Sequence, residues 1–233
     1  MKQNKTVAFI YAHPDDETFG CSYLIRSISE AGGRPVLLTA TRGDAGKTGH
    51  LGAMTREELA AKRDLELEKA IEILGIAAAE QLGMGDGKLK EVEPALLQER
   101  IAEFLTRHRA DVVVTFPEDG LSGHRDHIVI HHAVNKVVYG GRAPSVQKLY
   151  YNQVGSYASD KSSVLRVEAG ERWEAKRRAL EAHQSQVFSV ERVFGKLGAM
   201  VPPGHQFESF ELAWERGVHY PRKEENSVFD GLI

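Results

Sequence analysis

The chain has 233 residues, of which 42% are hydrophobic and 27% are charged, and its net charge is −3 from 30 basic and 33 acidic side chains. This composition is typical of a folded globular protein and excludes a disordered chain, and the length fits one domain over residues 1–233. Because the charges nearly balance, no strong field favours nucleic acid or an anionic membrane, and we expect neither as a partner.

Strand-like and helix-like segments alternate through the first two-thirds of the chain, which is typical of βαβ units around a parallel sheet. In the first half the patterns predict a strand over 6–12, a helix over 15–31, a strand over 35–41, a helix over 55–74 and a strand over 79–84. Pro14 suits the opening turn of the first helix. Thr55 and Glu58 make a capping box for the second helix, and Gly75 ends it.

The second half continues the alternation less regularly. The patterns predict a helix over 94–108, a strand over 111–116, a helix over 128–139, strands over 149–154 and 164–168, and a helix over 171–183. No element is predicted over the last forty or so residues. We therefore predict a Rossmann-like, three-layer α/β domain with a mostly parallel sheet and helices on both faces.

The apolar run before His13 is too short for a signal sequence or a membrane span, so we expect a cytoplasmic protein. Cys21 is the only cysteine, which excludes an internal disulfide. It lies in a predicted helix, where a small buried residue is the expected role.

Two clusters of potential metal ligands each follow a predicted strand. The first is the pentad His-Pro-Asp-Asp-Glu over 13–17, and the second is His-Arg-Asp-His over 124–127. Acidic residues at a helix start and histidines spaced i,i+3 are each common without any function. Parallel-sheet proteins nevertheless keep their chemistry at the carboxyl ends of strands, so we expect both clusters to build one site.

A catalytic zinc ion takes three protein ligands and leaves one position open for water. His13, Asp16 and His127 would supply such a set, because His13 ends a strand and Asp16 on the first helical turn can fold back beside it. Ligands of these types also suit Fe²⁺, Mn²⁺ or Co²⁺.

His124 and the neighbouring Asp126 suggest an acid beside the metal. A carboxylate next to a histidine fixes the tautomer of the ring and favours its charged form. We therefore predict that Asp126 orients His124 and raises its pKa above the reference value of about 6.5.

With these motifs the chain resembles the LmbE or PIG-L family of metal-dependent N-acetyl-sugar deacetylases, whose hallmarks are a His-Pro-Asp-Asp-Glu type motif after the first strand and a distant His-x-x-His. Three further segments are similar to family features: Arg56-Glu57-Glu58, Gly85-Asp86-Gly87, and Lys176 through His183-Gln184-Ser185-Gln186. Arg125 departs from the pattern, because many members carry proline there.

The resemblance implies roles residue by residue. It implies His13, Asp16 and His127 as metal ligands, Asp15 as the base, His124 with Asp126 as the electrophile and acid, and Arg56 and Asp86 as contacts to the sugar. Two of these residues have plain alternatives. Arg56 also fits a helix-surface cation paired with glutamates, and Asp86 also fits a turn residue before a glycine.

The expected reaction is hydrolysis of the acetamide of an N-acetylglucosaminyl conjugate to the free amino sugar and acetate. The resemblance favours N-acetylglucosaminyl-malate, the substrate of bacillithiol synthesis, with chitooligosaccharides or another N-acetylglucosaminyl compound as the alternative. It also implies a homo-oligomer. A nucleotide-binding module would need Gly-x-Gly-x-x-Gly after the first strand, where this chain has the pentad, and a non-catalytic metal-binding scaffold is the third possibility.

Overall fold

The computed structural model describes residues 5–153 and 164–233. Within these ranges the strands are β1 (Thr6–Tyr11), β2 (Arg34–Thr41), β3 (Ala78–Met84), β4 (Val112–Thr115), β5 (Lys148–Gln153), β6 (Val164–Glu168), β7 (Phe207–Glu215) and β8 (Val218–His219). The helices are α1 (Asp16–Glu30), α2 (Arg56–Leu74), α3 (Pro94–His108), the single turn α4 (Gly120–Gly123), α5 (Arg125–Tyr139), α6 (Arg172–Ala182) and α7 (Val187–Phe194).

The strands form one sheet in the order β3-β2-β1-β4-β5-β7-β6, and β8 pairs with β7. Strands β1 to β5 are parallel, whereas β7 runs antiparallel to both of its long neighbours. The predicted α/β class with a mostly parallel sheet is therefore confirmed. The chain order reverses between β1 and β4, and such a switch point opens a crevice at the carboxyl ends of the two strands.

β1 lies at the centre of this arrangement, and every one of its residues is buried. Phe9 pairs with Leu37 of β2 on one side and with Val114 of β4 on the other. A run of apolar residues buried on both faces is what a central parallel strand requires. The segment that follows β1 is consequently held in a fixed position beside the segment that follows β4, at the same edge of the sheet.

Several helix ends follow from local chemistry. The capping box of Thr55 and Glu58 is formed, and Gly75 ends α2 with a φ of 77°, a conformation that glycine adopts without steric cost. α5 begins at Arg125 rather than at residue 128, because the ring of His124 caps it by accepting the N–H of Asp126. Cys21 is buried, as predicted.

The carboxyl-terminal region holds α7, β7 and β8, which the sequence pattern did not predict. β7 inserts between β5 and β6, and its side chains Phe210 and Leu212 are buried in the core. The predicted strand 149–154 is observed up to Gln153, and residue 154 lies outside the described ranges. None of the helices in those ranges combines the length and the hydropathy needed to cross a bilayer.

Candidate active site

The two sequence clusters meet at the crevice between β1 and β4. His13 comes two residues after the end of β1, and Asp16 is the first residue of α1. His127 lies on the first turn of α5, which follows β4. The topology thus brings together side chains that are more than a hundred residues apart, as expected from the strand-end placement.

Three donor atoms converge at this point. His13 Nδ1 lies 3.2 Å from His127 Nε2 and 3.5 Å from Asp16 Oδ2, and His127 Nε2 lies 3.3 Å from Asp16 Oδ1. Two ligands of a tetrahedral zinc ion at about 2.0–2.1 Å are separated by roughly 3.3 Å. The spacing of this chain's own donors therefore fits a divalent metal.

The charges around the donors fit a cation as well. Burial alone would raise the pKa of Asp16, but the facing His127 and His13 rings outweigh it and hold the pKa well below its usual value. Burial alone would lower the pKa of His13, yet three surrounding carboxylates raise it well above its usual value. The same negative surroundings that keep the imidazoles protonated also favour a metal ion, which binds in place of those protons.

Two other groupings share His13. The three histidines 13, 124 and 127 form one, and His13 with Asp86 and Asp126 forms the other. In the second grouping Asp86 and Asp126 lie at Nε2 of His13, whereas His127 faces Nδ1. Backbone donors do not separate the candidates, because Asp16 Oδ2 also accepts one, from His13 at 2.8 Å. Asp16 faces both imidazole nitrogens and adds a negative charge to the site, so we favour it over His124 as the third ligand.

Asp126 supports His13 and not His124. It is fully buried, and its Oδ2 lies 3.3 Å from His13 Nε2 and accepts the N–H of Gly87 at 2.7 Å. The prediction that Asp126 orients His124 is therefore wrong. The early start of α5 turns this carboxylate beneath His13, where it holds the ring from the side opposite the proposed metal, a common arrangement for metal-binding histidines.

His124 is positioned by the backbone. Its Nδ1 accepts the N–H of Asp126 at 3.2 Å, so a neutral ring carries its proton on Nε2. Burial, together with the neighbouring His13 and His127, lowers the pKa of His124. The predicted rise in this pKa is also wrong, because the two imidazoles act more strongly than the Asp126 carboxylate.

Asp15 lies beside the donor set in a strained conformation. Its φ of 125° is rare for a residue with a side chain and costs about 1–3 kcal/mol. Such a conformation persists only where the surrounding structure holds it. Arg63 Nη2 donates to Asp15 Oδ2 at 3.0 Å and also to the carbonyl of Pro14. Burial raises the pKa of Asp15 against the opposing charge of Arg63, to about 6, which suits a group that accepts protons near neutral pH.

The structure assigns different places to the two arginines of α2. Arg56 pairs with Asp44 at 2.7 Å and donates to the carbonyl of Asp86 at 3.3 Å, but it does not line the cavity, and its contact with the sugar stays a prediction. Arg63 is 3% exposed and faces the site, and sequence reasoning missed it. A signal existed, because Arg63 falls on the buried stripe of α2 together with Leu59, Ala60, Leu67, Ala70 and Leu74.

Asp86 lines the cavity beside His13, and its contact with the sugar stays a prediction. Its Oδ1 lies 3.1 Å from His13 Nε2, and its Oδ2 accepts the N–H of Ala45 at 2.8 Å. Burial alone would raise the pKa of Asp86, but the hydrogen bonds from His13 and Ala45 outweigh it and bring the pKa to about 2. Asp86 therefore stays ionised beside His13.

A cavity of about 980 Å³ opens onto these groups. Its walls combine the aromatic rings of Phe19, Phe116, Phe194 and Phe207 with charged and polar side chains. Phe116 stacks on the ring of His127 at 3.9 Å with an interplanar angle of 5°, which fixes the plane of the imidazole. Cavities of this size typically hold a small organic ligand, and a sugar conjugate falls in that class.

A variant of Asp126 tests its reassigned role. Asp126→Ala should weaken metal affinity by about 10–100-fold, because His13 loses the carboxylate that orients it. The measurement is a metal titration of the apo-protein, with Asp64→Ala, an aspartate that pairs with Arg42 away from the cavity, as the control. Unchanged metal affinity combined with a lower rate would return Asp126 to a role beside His124.

Comparison with known proteins places the chain in a family. Residues 8–138 match the family model PIG-L, described as GlcNAc-PI de-N-acetylase. A 1D-myo-inositol 2-acetamido-2-deoxy-alpha-D-glucopyranoside deacetylase from Kineococcus radiotolerans is 32% identical over 57% of this chain, but the match spans only 44% of that protein's length. A probable N-acetyl-alpha-D-glucosaminyl L-malate deacetylase 2 from Bacillus anthracis is 27% identical over 80% of this chain and 83% of its own length.

Solved structures share the fold over almost the whole chain. The 4-carboxy-2-hydroxymuconate hydratase from Pseudomonas putida has a TM-score of 0.70 at 18% identity, covering 95% of this chain and 99% of its own. The N,N'-diacetylchitobiose deacetylase from Pyrococcus horikoshii has a TM-score of 0.68 at 20% identity, covering 91% and 84%. At such identities the likeness concerns the fold alone. The family model, however, matches more than half of the chain and includes both ligand clusters, so the chain belongs to the PIG-L family.

Proposed function

We propose that this chain is a metal-dependent N-deacetylase that hydrolyses the acetamide of an N-acetylglucosaminyl conjugate to the free amino sugar and acetate. The observation that carries the proposal is the convergence of His13, Asp16 and His127 beside the Asp15 carboxylate, at the floor of one cavity. Membership of the PIG-L family supports the same chemistry.

Each group of residues at the site would have a separate role in the reaction. A divalent metal held by His13, Asp16 and His127 would polarise the amide carbonyl and make water more acidic. Asp15, held by Arg63, accepts the proton of the attacking water as the new C–O bond forms. The N–H at Nε2 of His124 can donate to the developing oxyanion, a stabilisation that does not require a charged imidazole.

The last step returns the proton. When the C–N bond breaks, the protonated Asp15 is placed to deliver its proton to the departing nitrogen, which leaves as the amine while acetate forms. The raised pKa of Asp15, about 6, fits both halves of this exchange, since a group of this kind gains and loses a proton at little cost near neutral pH. Arg63 keeps the carboxylate aimed at the site throughout.

For the conjugate itself we propose N-acetylglucosaminyl-malate, with support from the sequence resemblance and from the Bacillus anthracis relative. The inositol conjugate named for the Kineococcus radiotolerans relative is the first competitor, and a chitooligosaccharide is the second. We propose Zn²⁺ as the metal, with Fe²⁺, Mn²⁺ or Co²⁺ as alternatives for these ligand types. A cytoplasmic homo-oligomer that binds neither nucleic acid nor membrane completes the proposal.

Acetate release measures this function directly. The purified protein loaded with Zn²⁺ should release one acetate per amino sugar from N-acetylglucosaminyl-malate, with a higher kcat/KM than for the inositol conjugate or N,N'-diacetylchitobiose. A different rank order would change the conjugate and leave the reaction intact. Metal binding with no acetate from any of the three substrates would instead indicate a non-catalytic scaffold.

A further inference from the structure

The segment after α6, His183-Gln184-Ser185-Gln186, has no part in the chemistry described so far. It forms a short 3₁₀ turn between α6 and α7, at the point where these helices meet α1 and α2. His183 is fully buried and does not line the cavity. It therefore touches neither the proposed metal nor a substrate, and its burial needs another explanation.

The partner of His183 is Glu17, the last residue of the pentad, which is also fully buried. His183 Nε2 lies 3.3 Å from Glu17 Oε1, and Thr18 Oγ1 donates to the same oxygen at 2.6 Å. His183 Nδ1 has no partner among the described residues. The proton of a neutral ring therefore belongs on Nε2, and the Oγ1 atom of Thr18, 3.2 Å away, accepts it while its own hydroxyl proton goes to Glu17.

The second oxygen of Glu17 holds Asp15. Glu17 Oε2 accepts the backbone N–H of Asp15 at 3.0 Å, which is the residue with a φ of 125°. A buried carboxylate needs donors aimed at its oxygens. Without the N–H of His183, the Thr18 hydroxyl is free to rotate away from Glu17, and the carboxylate then rearranges to regain a donor. A rearranged Glu17 would release the backbone of Asp15 from its strained conformation.

We infer that His183 is a positioning residue for Asp15 and acts through Glu17. The hydrogen bonds run from the His183 ring to the Thr18 hydroxyl, from this hydroxyl to the Glu17 carboxylate, and from the Asp15 N–H to the other oxygen of Glu17. Arg63 fixes the side chain of Asp15 from α2, so the proposed base is held at two points by two different parts of the fold. The inference rests on the proposed function, because it takes Asp15 to be the base.

Variants of His183 that keep or remove its donor separate this role from simple packing. In His183→Leu the donor is lost, and we expect kcat to fall by about 10-fold or more while KM and bound metal stay near wild type. In His183→Gln an amide N–H takes the place of Nε2–H, and most of kcat should return. Ser185→Ala removes a buried hydrogen bond to Glu66 in the same turn without touching Glu17, so its kcat should stay near that of the wild type.

Metal content, melting temperature and product affinity are measured on the same samples, so the readout does not depend on rate alone. Should His183→Leu fail to fold, His183→Asn carries the same expectation, because its amide is too short to reach the Thr18 hydroxyl. Wild-type kcat in the Leu or Asn variant, a Gln variant no faster than the Leu variant, or loss of metal from either would overturn the inference. A wild-type enzyme that releases no acetate would instead overturn the proposed function.

Discussion

Replacing His127 by alanine should remove most of the bound metal and abolish acetate release. The imidazole of His127 supplies one of three donors, and the remaining pair, His13 and Asp16, cannot hold a divalent ion with comparable affinity. Metal content measured on the purified variant, together with its rate, tests the ligand set.

Three control variants test whether the loss of metal is specific to His127. His50→Ala and His219→Ala should keep the metal, because both residues are exposed and lie outside the cavity. His124→Ala should keep the metal and lose rate, since we assign this ring to the oxyanion. Full metal occupancy in His127→Ala, or loss of metal in His124→Ala, would favour a donor set other than the one proposed.

Replacing Asp15 by asparagine should lower the rate by about 10²-fold or more while the metal remains bound. The amide keeps the size of the side chain but cannot accept a proton from water. Asp15 has a raised pKa of about 6, so wild-type activity should fall as the pH drops through the range where this carboxylate becomes protonated. The residual activity of the variant should lack that acidic limb.

The matched control is Asp64→Asn, which changes an aspartate that pairs with Arg42 away from the cavity. It should keep both its rate and the acidic limb. Asp16→Ala provides the contrast within the pentad, because it should lose the metal itself. If Asp15→Asn lost the metal and Asp16→Ala retained it, the two adjacent aspartates would exchange roles.

Much of the site was predictable because it depends on strand ends. A central strand followed by the pentad, and a second buried strand followed by His124 to His127, were enough to predict that these clusters would meet. The bounds of α2 and α3 were predictable for a similar reason, since the capping box and terminal glycine of α2 and the opening proline of α3 act within a few residues.

The predictions that failed depend on contacts between parts of the chain that are far apart in sequence. Whether Asp126 faces His124 or His13 depends on where α5 begins, and that start is set by the cap from His124. Whether Arg56 or Arg63 enters the site depends on which face of α2 packs on its neighbours. β7 pairs with β5 and β6 from sixty and forty residues away, so no local pattern could place it between them.

The cavity is lined by residues from two separate stretches of the chain. The proposed metal ligands and base all precede residue 128, whereas Lys176, Phe194 and Phe207, which line the same cavity, come after residue 170. Part of the cavity wall is thus encoded far from the proposed metal ligands and base, although Phe19 and Phe116 of the same wall belong to the earlier stretch. Mutations at Phe194 or Phe207 would change which conjugate fits while the donor set stays the same, so new specificities can arise on a constant reaction.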